Sequence, residues 1–262
     1  MLKKISIIWI ILMVSVLIPI TVKAEERKYI YEGKKVFHYE NNEYDINILM
    51  KALEGNLGEE LYFKSDIEED LLRRELYLNM SQELAKYKYS IELFNIEKNL
   101  YLIRCSSKEQ VKANKDLDKE ISKIYKSLKL KGKTDIEKTI IIHDYIVTNY
   151  SYGFINYSIS QSLESKLLKC DGYAALFQLI AEKAEIKSIV VTGYDEERDI
   201  LHTFNLVKIN KRYYHVDTTY DSTNFRKGKN HHVFLLIKKL PDYELGVKYQ
   251  GIKLATINYK IN

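Results

Sequence analysis

The sequence predicts an α+β fold, with helices packed on one side of an antiparallel sheet and a smaller α+β module in front of them. Three observations lead there. Apolar residues at helical spacing cluster between residues 117 and 184, and β-prone runs with short turns follow between 188 and 237. Ahead of both, near residue 110, the pattern changes character. The 262 residues contain only two prolines, with no Ser/Gly-rich linker and no internal repeat. A chain of this length forms one large domain or two small ones and can bury a real core.

The first element is a targeting signal. Lys3 and Lys4 form a basic start, Ile5 to Ile20 an apolar run, and Val22-Lys23-Ala24 a small-residue cleavage site. Residues 1–24 therefore read as a secretory signal peptide. The competing reading is an uncleaved anchor, but the run is short for a span of about 20 residues and contains Pro19. Cleavage removes Lys3, Lys4 and Lys23 and no acidic residue, so the formal charge falls from +5 to +2. A near-neutral chain with interspersed charges has no nucleic-acid signature. The mature chain is expected to be secreted or held at the cell surface.

Residues 25–110 read as the N-terminal α+β module. Tyr44 to Leu57 predicts a helix ended by Gly58, and Glu60 to Phe63 a short strand. Asp66 is the expected cap of a helix running to about Leu84, with Ile67, Leu71, Leu72, Leu76 and Leu84 apolar. Tyr87 to Ile96 and Leu100 to Cys105 predict a hairpin around Glu97-Lys98-Asn99. Residues 111–262 read as the second domain. Leu117 to Leu130 predicts a helix ended by Gly132; Thr134 caps the next, through Tyr150, with Glu137 completing a capping box. Residues 151–166 read as a polar loop, and a helix from Cys170 to about Ala184 follows. Strands are expected at 188–194, 201–209, 212–217 and 232–237. Asn210-Lys211 reads as a two-residue turn, which sets Phe204 opposite Asp217 and His202 opposite Thr219. His202 and Asp217 then point to one face.

Those last elements carry the chemistry. Cys170 opens its helix, where unpaired backbone N–H groups and the positive end of the helix dipole favour the thiolate. His202 and Asp217 sit in strand-like runs downstream. An imidazole can take the thiol proton and a carboxylate can orient the imidazole, so the three residue types suit thiol acyl-transfer chemistry. Against this stands the ordinary reading of a buried Cys and a satisfied core His. Gly172 and Ala174 are expected to leave room around the sulfur. Cys105 and Cys170 are the only cysteines; a disulfide between them is conceivable in an exported chain, and the thiol reading requires Cys170 to be free. His215, His231 and His232 show no zinc-ligand spacing, and His215 is placed on the face opposite Asp217, so no metal and no cofactor are expected.

Cys170-Asp171-Gly172-Tyr173-Ala174, Gly193-Tyr194, His202-Thr203-Phe204-Asn205 and Val216-Asp217-Thr218-Thr219-Tyr220 together resemble the transglutaminase-like superfamily of papain-type thiol enzymes. Ile142-His143-Asp144-Tyr145-Ile146 through Tyr152 and the run from His232 to Leu236 look like its flanking elements. The resemblance covers roughly residues 115–240. It departs from the family pattern at Phe204 and Tyr220, where the family has tryptophans, and at Thr218, where it has proline.

The resemblance implies catalytic roles for Cys170 (nucleophile), His202 (general base and acid) and Asp217 (orienting acid). The backbone N–H of Cys170 is one oxyanion donor. Tyr152 is the expected second, with Tyr157 and Gln161 as alternatives, since the one tryptophan, Trp9, lies in the signal peptide. The implied activity is acyl transfer from carboxamide or peptide bonds of proteins or cell-wall peptides, ending in hydrolysis or in transfer to an amine. The altered aromatics keep open a non-catalytic module that binds peptide or cell wall.

Overall fold

The computed structural model describes residues 29–31, 34–39, 43–87, 91–105, 108–154, 158–238 and 242–257. The expected signal peptide and Tyr157 lie outside the described residues.

Two five-stranded sheets organise the chain. The first has the order β1-β2-β3-β5-β4, from β1 (Tyr29–Tyr31), β2 (Lys34–Tyr39), β3 (Glu60–Ser65), β4 (Ile91–Glu97) and β5 (Leu100–Cys105). It is mixed, because β2 runs parallel to β3. Helices α1 (Glu43–Gly55), α2 (Glu69–Leu78) and α3 (Gln82–Lys86) accompany it. Leu53, Phe63, Leu72, Leu76 and Ile103 form the centre of its core. Strands β1 and β2 carry no pattern that the sequence reading recognised.

The helix expected from Asp66 to Leu84 is two helices. Asp66 does not cap the first; it accepts a hydrogen bond from the Asn99 amide, and Glu68 stands at the N-cap with no side-chain cap bond. The break falls at Asn79, whose side chain turns back to the carbonyl and carboxylate of Glu75. Ser81 then caps α3 by accepting from the Leu84 N–H.

The second sheet is antiparallel, in the order β11-β10-β9-β8-β12. Its strands are β8 (Lys187–Asp195), β9 (Ile200–Ile209), β10 (Arg212–Val216), β11 (Leu235–Ile237) and β12 (Glu244–Leu245). Helix α7 (Cys170–Lys183) packs on one face of it, and α4 (Lys108–Ser127) and α5 (Asp135–Asn149) pack against α7 in the same core. Tyr173, Phe177, Ile180, Ile142, Ile146 and Val207 are all fully buried there. At about 1.5–3 kcal/mol for each large apolar side chain, this is the main stabilisation of the domain. Thr134 and Glu137 form the expected capping box. Helix α4 starts at Lys108, so the expected boundary at 110/111 falls in its first turn.

The β9–β10 hairpin has the expected register, with Val216 opposite Asn205. Asn210 (φ 49°) and Lys211 (φ 66°) are both left-handed, which matches the right-handed strand twist in a two-residue turn. Three expectations change. The loop at 151–166 contains a helix, α6 (Ile159–Ser165), with a Ser158/Gln161 capping box, and a parallel pair, β6 (Ser151–Tyr152) with β7 (Leu167–Leu168). The last expected strand shortens to 235–237 and leaves His232 outside it. After Asp217 the chain enters an unforeseen helix, α8 (Thr218–Arg226).

The tail at 242–257 covers the other face of this sheet, where Tyr249 packs on Val191, Phe204 and Leu206. The same tail reaches the first module: Lys248 Nζ donates to the carbonyls of Asn79 and Met80 at 2.9 and 2.7 Å. Gln82 adds a second tie, exchanging two 2.7 Å hydrogen bonds with the Val190 backbone. Among the described residues no helix is long and apolar enough to cross a membrane.

Candidate active site

Cys170 is the first residue of α7. Lys169 at the N-cap offers no side-chain bond to the first turn, and the Gly172 N–H donates to the Asp171 carboxylate. Cys170 and Cys105 are both free thiols. The two environments differ. Cys105 is fully buried in the first module's core, and burial pushes its thiol up to about 12, so it is unreactive.

His202 is the third residue of β9, near the open end of the sheet. Its Nε2 lies 2.6 Å from Asp217 Oδ2, and Cys170 stands near enough to act on the charge of the ring. The structure thus brings the three expected residues together in one chain of contacts. Burial works against a charged His202, but Asp217 and Cys170 outweigh it and hold the imidazole well above its ordinary range. Burial likewise opposes the charge on Asp217, and the His202 interactions overcome it, keeping the carboxyl below its usual value. An imidazole held in this way by a buried carboxylate can serve as the proton partner that a thiolate needs.

Asp217 serves two structures at once. Its Oδ2 meets His202, while Oδ1 accepts from the N–H groups of Thr219 and Tyr220 and caps α8. Its own N–H donates to the Phe234 carbonyl at 2.9 Å. The carboxylate is fully buried and has partners on every side.

Aromatic rings wall the imidazole. Tyr220 packs 4.6 Å from the His202 ring centre and Tyr243 5.8 Å away; the two hydroxyls are 3.2 Å apart. Tyr220 therefore keeps the ring contact at a position where the resemblance departs from tryptophan. Tyr243 was not foreseen. It fits because Gly193, directly opposite His202, has no side chain: a Cβ there would lie 2.7 Å from Tyr243 Cβ. Asn205 joins the two halves of the site, donating from β9 to the Ala174 carbonyl on α7 at 3.1 Å.

Two expectations about this neighbourhood are corrected. Gly172 does not make room for the sulfur; a Cβ there would press Leu168 Cδ2 at 3.0 Å, so the glycine allows β7 to approach α7. His215 is not on the face away from Asp217. Residues two apart in a strand share a face, the His215 ring packs 4.8 Å from Phe204, and its charge contributes to holding Asp217 ionised.

Tyr152 lies in β6, paired with Leu168 just ahead of Cys170. Burial raises its hydroxyl, and the neighbouring charges of Cys170 and Asp171 raise it further, so it is a neutral donor beside the thiol. The alternative Gln161 is engaged in capping its own helix. Replacing Tyr152 by Phe is expected to lower kcat by about 10²–10³ with little change in KM, as for loss of one oxyanion donor. Unchanged turnover in steady-state assays would remove Tyr152 from this role.

A cleft of about 490 Å³ opens beside Cys170. Lys169, Cys170 and Asp171 form one end of it. Leu201 and Thr203, which alternate with His202 along β9, form another wall with Val190 and Thr192. Tyr77, Met80 and Ala85 from the first module close it. Its volume is that of a small-ligand or side-chain pocket.

Comparison with known proteins fits this geometry. Residues 122–218 match the sequence model of the transglutaminase-like superfamily, a stretch that contains Cys170, His202 and Asp217. Over that stretch the chain is similar to that superfamily. Among solved structures it is similar to a TGase, at 18% identity over 70% of this chain and 59% of the other, with a TM-score of 0.36. A proposed cysteine protease from Cytophaga hutchinsonii is 15% identical, over 50% of this chain and 62% of that one, with a TM-score of 0.35. A proposed protease from Parabacteroides distasonis is 14% identical, over 60% and 39%, with a TM-score of 0.34. The chain thus spans less than two thirds of the length of each. No curated protein matches it.

Proposed function

We propose that the protein is an exported thiol enzyme that cleaves or transfers the acyl group of a carboxamide or peptide bond in proteins or cell-wall peptides. The observation that carries this reading is the thiol of Cys170, at a helix N-terminus and the end of a cleft, near an imidazole held by a buried carboxylate 2.6 Å away. In this reading the sulfur attacks the carbonyl carbon and forms a thioester. His202 gives its proton to the leaving amine, then takes one from the water or amine that resolves the thioester. Asp217 keeps the ring oriented throughout. The Cys170 N–H and the Tyr152 hydroxyl hold the developing oxyanion.

The first module supplies a wall of the cleft, and in this reading it takes part in holding the substrate. Ala85→Trp is expected to raise KM by about tenfold or more by filling that space, while alkylation of Cys170 by the small reagent iodoacetamide proceeds at the wild-type rate. Equal loss of both would mean that the substitution disturbs the thiol itself.

Hydrolysis and transfer separate in one assay. The purified protein is incubated with a glutamine-rich protein and a labelled primary amine. Amine incorporation assigns a transferase; ammonia or new N-termini without incorporation assign a hydrolase. Neither outcome, together with an unreactive Cys170, would replace the proposal with a binding module. Export rests on the basic and apolar pattern of residues 1–24 and is tested by N-terminal sequencing of the protein recovered outside the cell.

A further inference from the structure

We propose that His143, Asp144 and His232 form a site for one divalent transition-metal ion, with zinc as its representative. Asp144 Oδ1 lies 2.9 Å from His143 Nδ1 and 2.7 Å from His232 Nε2. One ligand atom from each of the three residues falls within a 4.8 Å group. The two imidazole centres are 5.5 Å apart, close to the separation on the order of 5 Å that two rings adopt on one tetrahedral ion. Bonds of about 2.1 Å need only a small spreading of these donors.

A second feature points the same way. The remaining nitrogen of His143, Nε2, bonds at 3.1 Å to Asp221 Oδ2, and both side chains are fully buried. Asp221 is held in turn by the N–H groups of Val233 and Phe234. A carboxylate that fixes the tautomer and ring of a histidine from behind is the usual outer support of a metal-bound imidazole. Two imidazoles and one carboxylate suit zinc and its neighbours rather than magnesium or calcium, which prefer all-oxygen sites. The Asp144 side chain is 35% exposed, which gives an ion an entry path and a solvent ligand.

The ion takes the place of the protons now shared between Asp144 and the two rings. It ties α5 to the segment between α8 and β11. That segment also carries Phe234, whose carbonyl accepts the Asp217 N–H. The site is structural, set behind the candidate active site and separate from Cys170.

The test uses zinc chloride and the purified Cys170→Ala chain, so that zinc at the active-site thiol gives no signal. One zinc per chain is expected by calorimetry and elemental analysis, with a rise in Tm of about 5–10 °C at a hundredfold excess over Kd. Adding Asp144→Asn, which keeps shape and removes charge, should weaken binding at least about tenfold. Adding His232→Ala as well should abolish it. A Cys170→Ala chain that takes up no zinc overturns the proposal, as does equal uptake by the Asp144→Asn variant, whose partly exposed, isosteric change leaves the fold intact. None of these readouts depends on enzymatic activity.

Discussion

Cys170→Ala is expected to abolish acyl-enzyme formation and lower kcat by about 10⁴–10⁶ while leaving the fold in place. The side chain is 8% exposed and loses only its sulfur, so thermal unfolding should shift by no more than a few degrees. The same variant identifies the reactive thiol. Iodoacetamide at mildly acidic pH should label the native wild-type chain once, at Cys170, and the variant not at all, because Cys105 is fully buried with its thiol raised to about 12. Unfolding in denaturant at alkaline pH should expose Cys105 and restore one label to the variant. Turnover retained by Cys170→Ala would sink the thiol mechanism; native labelling at Cys105 would show that the first module's core is open.

Much of this site could be read along the chain because it is built from local signals. A capping box needs only Thr134 and Glu137, and the hairpin register needs only Asn210-Lys211 between two β-prone runs. The hairpin register places His202 and Asp217 on one face, and the apolar run that starts at Cys170 places the thiol on a helix tip. Helix α8 was not legible, since Thr218-Thr219-Tyr220-Asp221-Ser222-Thr223-Asn224 is a poor helix former. It is held by tertiary bonds: Asp217 at its start, the Tyr173–Ser222–Tyr150 chain, and Arg226 donating to the carbonyls of Thr148 and Tyr150. Tyr243 was hidden for a related reason. Its contact with His202 depends on a gap at Gly193, and nothing in a sequence shows which distant ring fills such a gap. His143 and His232 are likewise far apart in sequence, and the fold alone brings both onto Asp144.

Asp217→Asn separates the two duties of that residue. The asparagine carbonyl can still accept from Thr219 and Tyr220, so α8 keeps its cap. Its NH₂ replaces the oxygen that faces His202 Nε2, which must then be an acceptor. The ring proton moves to Nδ1, the nitrogen left for the thiol, and the imidazole can no longer take the thiol proton. Activity should fall by about 10⁴ with the helix intact. Asp217→Ala should lose the cap as well and leave a buried imidazole uncompensated, a loss of about 3–5 kcal/mol.

The pH dependence of stability distinguishes an ionised pair from a neutral contact. The contribution of Asp217, whose carboxyl is lowered in the fold, is present above its ordinary value of 3.8 and lost as pH falls through the folded value. The contribution of His202, raised in the fold, is complete below its ordinary value of 6.5 and lost as pH rises through the folded value. Wild type should therefore exceed Asp217→Asn in stability most strongly between about pH 4 and 6.5, with the gap closing on both sides. A gap independent of pH in urea melts would mean that Asp217 and His202 meet as neutral groups, and the imidazolium that protonates the leaving amine would have to come from elsewhere.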